Sequence, residues 1–170
     1  MLTSAGIALD YMTEAGPYTV KFNSSQDLTI LPPIPHEETG SHASGWDITV
    51  QDNQSHQVAL MGIIEEESIV PVSNALMDML LDNNLETQTT KPSKKNIKLN
   101  GIDGRMVEEY SPIWGLNFKI AIAPFGQSYD PFYNRTTTKS FILLKYVNLR
   151  AYDEIADSLN ITKNKNANLH

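Results

Sequence analysis

His36, Glu37, Glu38, His42 and Asp47 crowd one stretch of the chain, and imidazole nitrogens beside carboxylate oxygens are the donor types that hold a divalent ion such as zinc. The candidate ligands are His36, Glu38 and His42, and the chemistry they would support is metal-dependent hydrolysis in the loop from His36 to Asp47. Their spacing is not that of His-Glu-x-x-His, where two histidines one helical turn apart share a face. Pro32, Pro33 and Pro35 before the stretch and Gly40 and Gly45 within it forbid a regular helix. A solvated acidic loop is the competing reading. Glu65, Glu66 and Glu67 form a second carboxylate cluster, but neighbours on a strand point to opposite faces and do not converge. They are expected to mark a strand's exit to solvent and to favour the helix N-terminus that follows. There is no Gly-x-Ser-x-Gly elbow and no glycine-rich phosphate cradle, and the zero cysteine count removes thiol nucleophiles and thiolate metal sites. No residue is assigned a catalytic role, and no cofactor is expected.

A binding chemistry is offered further along. Between Pro124 and Lys139 the chain carries Phe125, Tyr129, Asp130, Phe132, Tyr133 and Arg135 in one long connection, where connections usually run to about four to six residues. Tyrosine, phenylalanine and arginine anchor interfaces because they bury large area with few rotors to freeze, and aromatic rings also stack on sugars. Trp114, in a Pro-Ile-Trp-Gly turn, would extend the same surface. The competing reading folds these rings back under the loop as core. Lys91, Lys94, Lys95 and Lys98 form a small basic run, read as a solvated linker rather than a site for an acidic partner.

The elements that must position these groups follow from periodicity. Residues 1–17 show no strong pattern. Tyr18, Val20 and Phe22 alternate, and Leu28 and Ile30 alternate again before the prolines, so 18–22 and 28–30 read as a hairpin. Trp46, Ile48 and Val50 give another strand, and Val58–Ile64, apolar on both faces, suits a central one. Val72, Leu76, Met79 and Leu80 then fall at helical spacing behind Pro71, predicting a helix over 71–84 with Asp78 and Asp82 on the far side. Asn100-Gly101 signals a tight hairpin turn. Strands at 105–110, 118–122 and 141–147 follow, and Tyr152, Ile155, Ala156 and Leu159 mark a closing helix over 150–159. Residues 162–170 read as a frayed tail.

Hairpin connections around two helices, without strand–helix–strand alternation, describe an α+β domain over 18–161 with a mostly antiparallel sheet. In this order of elements, the Ile-x-Leu-Asn-Gly-Ile-Asp-Gly turn at 97–104 and the helix end Ile-Ala-Asp-Ser-Leu-Asn-Ile at 155–161 resemble the PsbP-like fold group. That group includes photosystem extrinsic subunits, bacterial lipoproteins and a Ran-binding nuclear import factor. The resemblance implies a binding or accessory module without enzymatic activity, often outside the cytoplasm and docked to a larger assembly.

Composition bounds the partners. With 13 Lys+Arg against 20 Asp+Glu the net charge is −7, which opposes phosphate backbones, so nucleic acid is not expected. No apolar run reaches the roughly 18–20 residues of a membrane helix, so contact with a membrane is peripheral at most. The expectation is an extracytoplasmic protein, secreted or envelope-anchored, that docks a protein or glycan partner through the aromatic loop. A small-ligand carrier and the metal-dependent hydrolase are the alternatives. Asn23, Asn53, Asn134 and Asn160 stand in glycosylation-acceptor context.

Overall fold

The computed structural model describes residues 7–37, 44–68, 72–85, 92–111, 115–132, 135–146 and 149–164. In chain order the elements are β1 (Leu9–Ala15), β2 (Tyr18–Ser24), β3 (Leu28–Ile30), β4 (Ile34–Glu37), β5 (Ser44–Asp52), β6 (Gln57–Ser68), α1 (Asn74–Asp82), β7 (Lys94–Leu99), β8 (Ile102–Ser111), β9 (Leu116–Asp130), β10 (Arg135–Tyr146), α2 (Leu149–Ser158) and β11 (Asn160–Lys163). The large sheet runs β3-β5-β6-β10-β9-β8-β7, with β4 also on β5, and the small sheet runs β1-β2-β11. The pairings are antiparallel. The chain is thus α+β, a mostly antiparallel sheet with two covering helices, as the sequence predicts.

Period-two alternation gives the large sheet two apolar faces. Ile48, Val50, Met61, Ile63, Ala121, Ala123, Ile142 and Leu144 point to one side, where Val20 and Phe22 of the small sheet and Tyr152, Ile155 and Ala156 of α2 bury them. Val107, Ile120, Ile122, Phe141 and Leu143 point to the other, where Met77 and Leu81 of α1 pack. Central strand β6 carries apolar side chains on both faces, Met61 and Ile63 under the small sheet and α2, and Leu60 and Ile64 on the α1 side.

Local chemistry sets the joints. Ser73 caps α1, its hydroxyl accepting from the Leu76 amide at 3.2 Å. The Asn100-Gly101 turn has φ of 55° and 71°, the left-handed geometry that asparagine and glycine tolerate. The Asn100 carboxamide also accepts from Ile161 N at 2.8 Å and donates to Ile161 O at 3.3 Å, so it ties the β7–β8 turn to β11. The turn that carries the PsbP-like resemblance is therefore a structural joint.

Several expectations are corrected. The segment 1–17 contains β1, held on β2 with Tyr11 stacked on Phe22 at 5.3 Å. Residues 18–22 and 28–30 form no hairpin, because β2 and β3 belong to different sheets. The corner between them is fixed by Glu154 of α2, which accepts from Ser24 Oγ at 2.6 Å, Ser25 N at 2.8 Å and Ser25 Oγ at 2.6 Å. Pro35 does not end the ladder, for it lies in β4 opposite Trp46, on the sheet's rim where a missing amide donor is tolerated. The tail pairs through Lys163 as β11. The connection 123–139 is the far end of a β9–β10 hairpin. Lys94 and Lys98 are ion-paired, Lys98 Nζ lying 2.7 Å from Asp103, while Lys91 lies outside the described residues.

Candidate functional site

Helix α1 sits off-centre on its face of the sheet. Arg105 of β8 donates through Nε and Nη2 to the two Asp78 oxygens at 2.7 and 3.1 Å, and Lys94 of β7 lies 2.6 Å from Asp82 Oδ1. These anchors share one flank of the helix at i and i+4, while Met77 and Leu81 point down onto the sheet. The buried stripe is therefore rotated from the one the spacing predicts, running through Met77 and Leu81. Met79 is 52% exposed, and Asp78 and Asp82 pair with cations on β8 and β7.

The guanidinium of Arg105 holds the Asp78 carboxyl below its ordinary value of 3.8, burial opposing and losing, and the same bond raises Arg105. A carboxyl depressed in the folded state stabilises fully above its unfolded value, and that contribution fades as pH falls through the folded one. Asp78→Asn is expected to cost about 1–2 kcal/mol at neutral pH and to flatten the loss of stability below about pH 4. Urea midpoints at both pH values test this, and an unchanged acid slope would remove the anchor from the account.

Pinned to the β7–β8 side, α1 leaves the β5–β6–β10 part of its face open, forming a cavity of about 520 Å³. Leu60, Gly62, Ile64 and Leu143 lie at its floor, Leu80, Asn83 and Asn84 form the helical wall, His36 and Asp47 stand opposite, and Lys145 closes one end. Strand register assembles the floor, Gly62 pairing with Asp47 on β5 and Leu143 on β10. His36 Nδ1 lies 3.6 Å from Asp47 Oδ2, both side chains 45% exposed. Asn84 donates one of its two amide hydrogens to Leu80 O at 2.9 Å, which leaves a second hydrogen and the carbonyl oxygen.

Gly62 stands apart from its neighbours. A Cβ at Gly45 or Gly104 would overlap the carbonyl oxygen of Ile63 or Ile122, so packing accounts for those glycines. A Cβ at Gly62 would meet nothing nearer than Leu143 Cβ at 3.7 Å and Asp47 Oδ1 at 3.8 Å. Glycine weakens a strand interior and is often found at a bulge, a bend, or a site where a ligand or another backbone approaches closely, and Gly62 lies at the cavity floor.

The other predicted site residues disperse. Of the metal candidates, Glu38 and His42 lie outside the described residues, and His36 stands at the cavity. Among the described residues, no group of three metal-ligating side chains occurs. Phe125 packs into the core 5.6 Å from the Tyr18 ring, as the competing reading had it. Tyr129, Asp130 and Arg135 lie on the hairpin's last rungs, Tyr129 opposite Thr136 and Asp130 opposite Arg135, and Phe132 tops the turn at 85% exposed. Trp114 and Tyr133 lie outside the described residues.

Glu65 does not exit to solvent, since β6 continues to Ser68. It accepts from the buried Tyr18 hydroxyl and from Lys163 Nζ at 3.2 Å, and Lys163 sits 5.4 Å from the Tyr18 ring. Burial works against the Lys163 ammonium, but Glu65 and Tyr18 together raise it above its ordinary value. The cluster fastens β11 to the large sheet.

The chain matches no family model, no curated protein and no solved structure. Function therefore rests on what the cavity can do. Sequence reasoning missed Gly62, Asn83, Asn84 and Lys145, and the one local sign was a glycine inside an otherwise apolar strand.

Proposed function

We propose that this chain is a non-catalytic binding module of the cell envelope or exterior, and that its ligand sits in the cavity beside α1. The observation that carries this is the cavity itself: about 520 Å³ on a paired-strand floor, within the roughly 300–1,000 Å³ range of small-molecule sites. An apolar floor with a few polar groups on facing walls provides burial and orientation together. The PsbP-like resemblance and the exposed acceptor asparagine Asn53, in the β5–β6 turn, support the extracytoplasmic setting.

Amide-resolved NMR with a small-molecule library tests the reading. Hits are expected to shift Leu60, Gly62, Leu143 and Asn83 together and saturably. Saturable shifts confined to other surfaces, or none across the library, would overturn it. Phe132 favours a second reading, a protein partner docked on the β9–β10 hairpin tip, and shifts centred on residues 130–132 with an added partner would select it.

A further inference from the structure

Resting on that reading, we infer that the cavity takes a neutral polyhydroxylated ligand, a saccharide unit laid with its C–H face over Gly62. The inference follows from counting what the walls offer. Asp47 contributes acceptor oxygens, while Asn83 and Asn84 each carry an amide that both donates and accepts, one Asn84 hydrogen serving Leu80. Donors and acceptors both line the walls, with His36 and Lys145 adding N–H groups, so the ligand must both donate and accept. A charge of either sign meets its like in the same cavity, an anion at the Asp47 carboxylate and a cation at Lys145. Hydroxyl groups donate and accept without charge, and a pyranose carries them around a ring whose face is apolar.

The floor matches that shape. Leu60, Ile64 and Leu143 surround Gly62, whose missing side chain leaves a dip in otherwise leucine-lined surface. The ring would lie on the aliphatic groups, with its rim hydroxyls reaching Asp47 on one side and Asn83 and Asn84 on the other.

The experiment titrates the full chain with methyl glucoside, methyl galactoside, methyl mannoside and N-acetylglucosamine, with glucuronate and glucosamine as charged probes of like size. At least one neutral sugar is expected to saturate the groove amides and to bind about tenfold more tightly than either charged probe. Gly62→Val is expected to abolish binding by filling the dip, and Asn83→Ala to weaken it about tenfold. Gly62→Ala, whose added methyl meets only ordinary contacts, serves as the folded intermediate should the valine variant unfold, with a smaller loss. A charged probe that binds best and is lost in Gly62→Val would keep the cavity and overturn the saccharide. Neutral sugars that bind equally well to all three variants would overturn both. If no sugar binds while library hits map to the cavity, the saccharide inference alone falls.

Discussion

Gly104→Ala is expected to cost about 3 kcal/mol or more of folding stability, while Gly62→Ala costs less than about 1 kcal/mol. Both glycines lie inside strands of the large sheet, and neither needs a left-handed backbone, so propensity predicts the same small effect for both. Their surroundings separate them. At Gly104 an added Cβ enters the Ile122 carbonyl oxygen and stands 2.9 Å from Ala123 Cβ and 3.2 Å from Ala123 Cα. Backbone cannot swing away as a side-chain end can, so β8 and β9 must separate next to the Arg105–Ile122 pair. At Gly62 the new methyl finds only ordinary contacts. Urea unfolding with an unchanged denaturant slope reads both values. Equal losses at the two positions would mean that packing requires Gly62, and the case for a ligand above it would lose its footing.

How much of this was legible in the chain depended on where each signal lived. Asn100-Gly101 was plain because a tight turn is decided by adjacent residues, and the α2 stripe of Tyr152, Ile155, Ala156 and Leu159 because the helix buries one continuous face. The far end of β9 was not, since the stretch from Pro124 onward reads as a long connection. Pro124 lies beyond Ile122, the last β9 residue paired to β8, so no donor is missed on that side, and Gly126 supplies a left-handed φ of 71° two residues on. The α1 stripe was misread because Asp78 and Asp82 resemble a solvated face until Arg105 and Lys94 arrive from strands distant in sequence. The cavity was the least legible part. It draws on β4, β5, β6, α1 and β10, and only the pairing of Gly62 with both Asp47 and Leu143 makes neighbours of residues with no local pattern in common.

Leu81→Ala is the second large effect expected, about 3–4 kcal/mol of stability together with loss of ligand binding. Leu81 is fully buried among Val107, Ile120, Ile122 and Leu143, and truncating it leaves a void beneath a helix of 9 residues. A helix that short has little intrinsic stability in water, so its place depends on Met77, Leu81 and the two ion pairs along one flank. The opposite flank carries Leu80, Asn83 and Asn84, the cavity wall, and is held through the sheet contact of Met77 and Leu81. Loosening that contact should let the wall swing before the strands unpair. Ile155→Ala provides the control, because Ile155 is equally buried but lies on α2, across the sheet. Both variants should lose comparable global stability, yet only Leu81→Ala should speed amide exchange in α1 selectively and abolish saturable shifts at Gly62. If the two variants behaved alike in exchange and binding, the cavity would respond to global stability alone. A difference confined to Leu81→Ala would show that the two faces of the sheet are energetically separable, with α1 belonging to the binding site and α2 to the scaffold.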